Sequence, residues 1–243
     1  MSPLGIFKQI SAAALDSPLV SSLIAALDRH SENRMTELGM IAQAFEFARL
    51  NGVRGDYFEF GLWQGRTFRY AHRMKRRYGL TKMTLWGFDS FQGLPETSEK
   101  KDNIWTKGQY ANSEEQLRRT LTRDGFRESD FELVSGFYCD SLNDELHRRM
   151  AGRIAAVVYV DCDLYESTRD ALRFVERYLT NGSIVCFDDF YCFKASPDHG
   201  EQRALREFVE TAPSLSFLPY YNYGTAGASF IVRRQLQKTS SPG

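Results

Sequence analysis

The chain has 243 residues, 42% apolar and 26% charged, and its 31 Lys plus Arg balance 31 Asp plus Glu to a formal net charge of zero. Such a composition fits a globular protein with one sizeable core, and the charge balance argues against nucleic acid as the main partner, since phosphate binding needs a basic excess. No apolar run reaches the roughly 18 residues that cross a bilayer. Met1 to Lys8 lacks the apolar stretch of a secretory signal. The four cysteines, Cys139, Cys162, Cys186 and Cys192, form no C-x-x-C pair. Reduced, buried thiols in a cytoplasmic compartment are expected.

In chain order, Leu19, Val20, Leu23, Ile24 and Leu27 have helical spacing. A second helix is predicted over Thr36–Asn51, with Leu38, Ile41, Ala42, Phe45 and Ala48 on one face and Gly52 as its stop. Asp56 to Gly61 reads as a strand ending in a glycine turn, and Arg66 to Tyr78 as a helix whose basic residues form a solvated face. Thr84–Asp89 is a second strand. Residues 90–112 show no period, which in a compact domain suggests an active-site lid. Ser113-Glu-Glu-Gln116 is a capping box opening a helix to about Asp124. Phe131–Ser135 is a third strand. The apolar run Ile154–Val160 is a fourth, and Ser183–Phe187, after the turn Leu179–Gly182, a fifth. A helix near Glu201–Thr211 precedes the strands Leu215–Tyr220 and Ala228–Val232, joined by a turn-rich stretch with Gly224 and Gly227. Arg233 to Gly243 reads as a frayed polar tail. The sum is an α/β, doubly wound sheet of five parallel strands plus an antiparallel terminal pair. One domain is expected over 1–243, with helices in about 1–52 capping the fold and a lid at about 90–112.

In such a sheet, ligands bind beyond the carboxyl ends of the strands. Glu59, Asp89, Asp161 and Asp188 all stand at such ends. Two buried strands that deliver Asp161-Cys-Asp163 and Asp188-Asp189 to one edge suggest a cation site, because clustered carboxylates repel unless a cation holds them. Gly61 and Gly65 lie where a backbone must approach a ligand, and Thr67 near a helix N-terminus. Asp89 is placed to accept hydrogen bonds from both hydroxyls of a ribose. The turn has neither G-x-G-x-x-G spacing nor a G-K-[ST] phosphate loop. A cofactor with a nucleoside and no phosphate fits better, such as S-adenosylmethionine, with Glu59 facing its ammonium group.

The segments Glu59-Phe-Gly-Leu-Trp-Gln-Gly-Arg-Thr67, Gly87-Phe-Asp-Ser-Phe-Gln-Gly-Leu-Pro95, Lys107 to Ser113, Gly136-Phe-Tyr138, Asp161 to Thr168 and Asp188-Asp-Phe190 together resemble the macrocin O-methyltransferase (TylF-like) family of class I methyltransferases. The resemblance spans roughly residues 36–232. It implies a Rossmann-like methyltransferase fold and transfer of a methyl group from S-adenosylmethionine to a hydroxyl, often on a natural-product sugar, with Mg²⁺. It implies Asp161, Asp188 and Asp189 as metal ligands and Asp161 also as the base, with Asp163 as a supporting acid or as the base in its place. It adds Ser90, Gly136 and Phe137 to Glu59, Gly61, Gly65, Thr67, Asp89 and Asp161 as cofactor contacts. An all-oxygen ligand set suits Mg²⁺. His199 could assist as a base or stand in a solvent-facing loop, and Lys107 and Tyr110 of the lid could touch the acceptor. A homodimer is expected.

Two other readings compete. Asp161-Cys-Asp163 is also the D-x-D arrangement of a metal-dependent glycosyltransferase, which leaves the Glu59–Gly65 turn and Asp188-Asp189 without roles. A methyltransferase-like scaffold without activity would not need the acids that chemistry requires, and all of them are present.

Overall fold

The computed structural model describes residues 35–100 and 103–235. The N-terminal helix expected at Leu19–Leu27 and the end of the tail lie outside those residues, so the cap expected over 1–52 is met only from residue 35 onward.

Seven strands form one sheet in the order β3-β2-β1-β4-β5-β7-β6. They are β1 (Asp56–Phe60), β2 (Leu85–Asp89), β3 (Phe131–Ser135), β4 (Ala155–Val160), β5 (Leu179–Phe187), β6 (Leu215–Tyr223) and β7 (Gly227–Arg234). The first five run parallel, and β7 pairs antiparallel with both β5 and β6. Every residue of β1 and β4 is buried, as expected of parallel strands covered on both faces. Alternate side chains feed two cores. Phe58, Phe60, Val158, Val160 and Phe187 lie in one. Tyr57, Val157, Tyr159 and Ile184 lie in the other.

The helices are α1 (Glu37–Leu50), α2 (Arg66–Arg77), α3 (Glu114–Arg123), α4 (Tyr138–Ser141), α5 (Asp144–Arg149), α6 (Tyr165–Val175) and α7 (Gly200–Thr211). α1, α2 and α3 supply the second core, with Phe45, Phe68 and Leu117. α5, α6 and α7 supply the first, with Leu146, Phe174 and Phe208. The caps follow the sequence. Thr36 Oγ1 accepts from Gly39 N at 3.1 Å, and Ser113 Oγ accepts from Gln116 N at 3.3 Å. Among the described residues, no helix is long and apolar enough to cross a membrane.

Three expectations change. β5 begins at Leu179, not Ser183, because Leu179 already pairs with Ala155 before the register shifts. Arg233 and Arg234 belong to β7: Arg234 donates to the Leu179 and Glu176 carbonyls at 3.1 and 2.6 Å, so the strand end is pinned. The basic face of α2 is not uniformly solvated, since Lys75 is buried and donates to Asp130 at 2.8 Å.

Candidate active site

The strand order reverses between β1 and β4, and the acids gather beyond the carboxyl ends there. Phe60 pairs with Val160 and Val160 with Phe187, so the residues that follow are neighbours. Gly61 has φ 91°, and a Cβ on it would stand 1.7 Å from the Asp161 carbonyl oxygen, so only glycine lets the two strand ends meet. Gly65, at φ 71°, caps α2; a Cβ there would press on Leu117 at 2.6 Å.

Asp89 holds this turn. Its Oδ2 accepts from the backbone N–H groups of Leu62 at 2.7 Å and Trp63 at 3.1 Å, and its Oδ1 accepts from Phe91 N at 2.7 Å. An ionised carboxylate has about four lone-pair positions, so the backbone takes most of them. The acid read from sequence as a ribose acceptor is first of all the buttress of the glycine turn.

Glu59 is fully buried. Tyr57 donates its hydroxyl to Oε2 at 2.5 Å and Thr67 donates to Oε1 at 2.6 Å. Burial pushes its pKa up to about 8 against those two hydrogen bonds, with repulsion from Asp188 and Asp89 adding to the rise. Thr67 lines the cavity and Glu59 does not, so Thr67 stands between Glu59 and a bound molecule.

The cavity measures about 740 Å³. Gly61, Thr67, Asp89, Ser90, Phe137, Asp161 and Asp189 line it, as sequence suggested, together with Trp63, Tyr110, Cys162 and Asp163. Gly65, Gly136, Asp188 and His199 lie outside its wall. Gly136 N donates to the Asp89 carbonyl at 3.0 Å and so positions Phe137.

Behind the wall, Asp188 Oδ1 accepts from the Tyr159 hydroxyl at 2.5 Å. Asp189 Oδ1 accepts from the Cys192 thiol at 3.2 Å, and Asp189 N donates to Glu201 Oε2 at 3.0 Å. Glu201 Oε1 is buried without a partner. Burial first, and then mutual repulsion, raises the pKa of Asp161, Asp163 and Asp188. The same burial raises Asp189, which shares a hydrogen bond with Asp163 that requires one of the two to keep its proton. Repelling carboxylates, an orphaned buried oxygen and an all-oxygen donor set fit a hard divalent cation in charge and chemistry. Among the described residues, however, no three His, Cys, Asp or Glu side chains are gathered to hold a metal as they stand.

Sequence reasoning missed Glu201, which sits one residue into α7 and carries no periodic signal. It also missed the fastenings of loop 90–112. Glu166 accepts from the Thr97 hydroxyl at 2.8 Å and from Ser98 N and Oγ at 2.9 and 2.6 Å. Glu99 accepts from Gly200 N at 2.9 Å and from Arg203 at 3.1 Å. Lys107 is exposed and pairs with Glu96 at 3.9 Å. His199 precedes α7, its Nδ1 lies 3.0 Å from Ser196 Oγ, and its ring stacks on Phe193.

Residues 12–211 match the model of the macrocin-O-methyltransferase (TylF) family. The 8-demethyl-8-(2,3-dimethoxy-alpha-L-rhamnosyl)-tetracenomycin-C 4'-O-methyltransferase of Streptomyces olivaceus is 30% identical over 168 residues, 66% of this chain and 62% of that protein. The mycinamicin III 3''-O-methyltransferase of Micromonospora griseorubida is 27% identical over 175 residues, 68% of this chain and 66% of its own. The match thus spans somewhat less than two thirds of these relatives' length. Among solved structures, the calicheamicin methyltransferase CalS11, described also as a TDP-rhamnose 3'-O-methyltransferase, superposes with a TM-score of 0.64 at 25% identity, covering 95% of this chain and 93% of that one.

Proposed function

The chain belongs to the macrocin O-methyltransferase (TylF) family, and on that premise we propose that it transfers a methyl group from S-adenosylmethionine to a hydroxyl of a small molecule, a natural-product sugar. One observation carries the reading: the glycine turn and the carboxylates open into the same cavity, with Gly61 packed on the Asp161 carbonyl. That shared opening supports a reading in which methyl donor and proton acceptor meet in one place.

The Gly61–Gly65 turn, Thr67, Asp89 and Phe137 bind the donor. The acceptor lies beside Asp161 and Asp163. Its hydroxyl oxygen attacks the methyl carbon, the carbon–sulfur bond breaks, and sulfur keeps the electron pair as the sulfonium becomes a thioether. The hydroxyl proton goes to the ionised carboxylate of Asp161, or of Asp163 beside it; burial and repulsion raise both pKa values, and a bound cation would oppose that rise and keep the base ionised. Mg²⁺, held by Asp161, Asp188 and Asp189, would supply the positive charge that eases deprotonation of a neighbouring hydroxyl. The protein's own share is to aim the two reactants, since displacement at carbon needs in-line approach at about 3 Å. His199 is better read as a residue of the α7 entrance than as a base, given its stack on Phe193. The four free cysteines support a reducing compartment.

Transfer of isotope from methyl-labelled S-adenosylmethionine to a hydroxylated glycoside, measured with and without EDTA, tests both parts. Label in the acceptor is expected, and its loss with EDTA. Affinity for UDP or GDP in place of S-adenosylhomocysteine would overturn the reading in favour of the glycosyltransferase.

A further inference from the structure

Two aromatic side chains stand half-exposed at the cavity mouth. Trp63 is 48% exposed and Tyr110 is 40% exposed. Trp63 comes from the glycine turn and Tyr110 from loop 90–112, yet their rings meet edge to face with centroids 5.5 Å apart. Both residues have positive φ, 42° and 64°, a backbone that bulky residues rarely adopt. The strained turn is held at both ends of Trp63: Asp89 accepts from its N–H at 3.1 Å, and Asn112 Nδ2 donates to its carbonyl at 2.5 Å. The backbone that carries Trp63 is therefore fixed, and the two rings, packed on each other, still leave about half of each residue exposed at the cavity, apolar area that a ligand can cover. Tyr110 also reaches toward the chemistry. Its pKa is raised by burial and then by the charges of Asp163, Asp189 and Asp161.

The charges around the mouth select among acceptors. The arginines that line the cavity are both engaged, Arg66 with Glu37 and Arg169 with Asp170 at 2.8 Å. Glu166, which its hydrogen bonds hold ionised, lines the same space, whereas Glu96 there pairs with Lys100 at 3.6 Å and Lys107 at 3.9 Å. A sugar carried on a nucleoside diphosphate would bring its phosphates toward the Glu166 carboxylate with both lining guanidiniums already paired. A sugar carried on an apolar group would set that group, or its own C–H face, against the aromatic rings.

Resting on the methyl-transfer reading, we propose that Trp63 and Tyr110 form the acceptor platform, and that it takes a glycoside with an apolar aglycone and not a sugar nucleotide. The rings hold the acceptor with its sugar directed toward Asp161 and Asp163.

The test is calorimetry on the full chain saturated with S-adenosylhomocysteine, with two probes that share one sugar, p-nitrophenyl α-L-rhamnoside and TDP-L-rhamnose. The aryl glycoside should bind about tenfold tighter or more, and Trp63→Ala and Tyr110→Ala should each weaken it by about tenfold. Trp63→Phe, which keeps a ring, should stay within about threefold; S-adenosylhomocysteine affinity should hold in Tyr110→Ala, whose residue lies outside the donor turn, and unchanged urea unfolding midpoints show that the Trp63 variants fold. The platform is overturned by TDP-rhamnose binding as tightly as the glycoside, by unchanged affinity in Trp63→Ala and Tyr110→Ala, or by neither probe binding a chain that holds S-adenosylhomocysteine. A wild-type chain that fails to bind S-adenosylhomocysteine overturns the methyl-transfer reading, and the platform with it.

Discussion

Asp130 is a buried carboxylate and Asp161 a partly buried one in the cavity wall, at opposite ends of the parallel strands. Asp130 stands just before β3 and Asp161 just after β4. Around Asp130, Lys75 donates at 2.8 Å, the Arg127 backbone and guanidinium donate at 3.0 and 3.2 Å, and His72 lies 3.6 Å away. Burial opposes its ionisation, but the hydrogen bonds from Arg127 and Lys75 win and hold its pKa well below the usual carboxylate range. Around Asp161 the near charges are Asp188, Asp163, Asp189 and Glu59, and burial and repulsion raise it together. One edge has its charges paired from within. The other assembles like charges and leaves Glu201 Oε1 without a donor. An arrangement that costs the empty fold stability persists at a site that binds something, and the paired edge shows that this chain can neutralise a buried acid where no ligand is needed.

The largest expected effect falls on the unpaired edge. On the proposed mechanism, in which Asp161 is the base and would be a cation ligand, Asp161→Asn should lower turnover by about 10³-fold or more while S-adenosylmethionine affinity moves little. Steady-state kinetics beside calorimetry checks it, and metal-dependent turnover that survives the change would remove Asp161 from the mechanism. The mirror experiment on the paired edge should leave chemistry alone and strike stability. Asp130→Ala strands Lys75 in the core and should cost about 3–5 kcal/mol in urea unfolding at neutral pH. Because the folded pKa of Asp130 lies below the unfolded value of about 3.9, its contribution is complete above that value and fades as pH falls below it. Wild type and variant should therefore converge in strong acid.

The sign reverses for Glu59. Its folded pKa of about 8 exceeds the ordinary 4.5, so the folded chain keeps a proton that the unfolded chain has lost. Stability therefore falls as pH rises from about 4.5 to 8 and falls no further from this group beyond it. Glu59→Gln cannot ionise, and its unfolding free energy should change less steeply across that window, by about 1 kcal/mol per pH unit where Glu59 alone titrates. Parallel profiles for the two proteins would mean that Glu59 is ionised in the fold.

The contrast between edges was half legible in the sequence. Apolar runs that end in acids marked the carboxyl edge, because a strand buried on both faces has few other ways to end at a ligand site. Glu59, Asp89, Asp161 and Asp188 were placed from that alone. The Lys75–Asp130 pair was not visible, because its partners lie 55 residues apart and a lysine in a basic helix reads as solvated. The place of β7 between β5 and β6 was equally hidden, since two hairpin-like strands can be added to a sheet in either order. Asp89 has a second role that sequence did not show: three backbone N–H groups of the turn take most of its lone pairs, so it also buttresses the turn. Trp63 and Tyr110 were in plain view, one inside the recognised turn and one in the lid, but only the fold brings their rings together.

The smallest expected effect concerns how loop 90–112 is fastened over the unpaired edge. Glu166 is the first acid of α6, and it lines the cavity while accepting from Thr97 and Ser98. Those hydrogen bonds lower its pKa even though burial works the other way, so it stays ionised at neutral pH and the fastening is charge-assisted. Glu166→Ala removes the three contacts together. Glu99 still accepts from Gly200 and Arg203, so the loop loosens without leaving α7. The acceptor's KM should rise by about 3–10-fold with little change in turnover, because the loop contributes binding surface and no reacting group. Amide exchange at Ser98 and Glu99 should quicken in the same variant while exchange in β4 does not. A fall in turnover with KM unchanged would instead make Glu166 part of the reacting assembly, and the unpaired edge would then extend one helix turn further than the strand ends that define it.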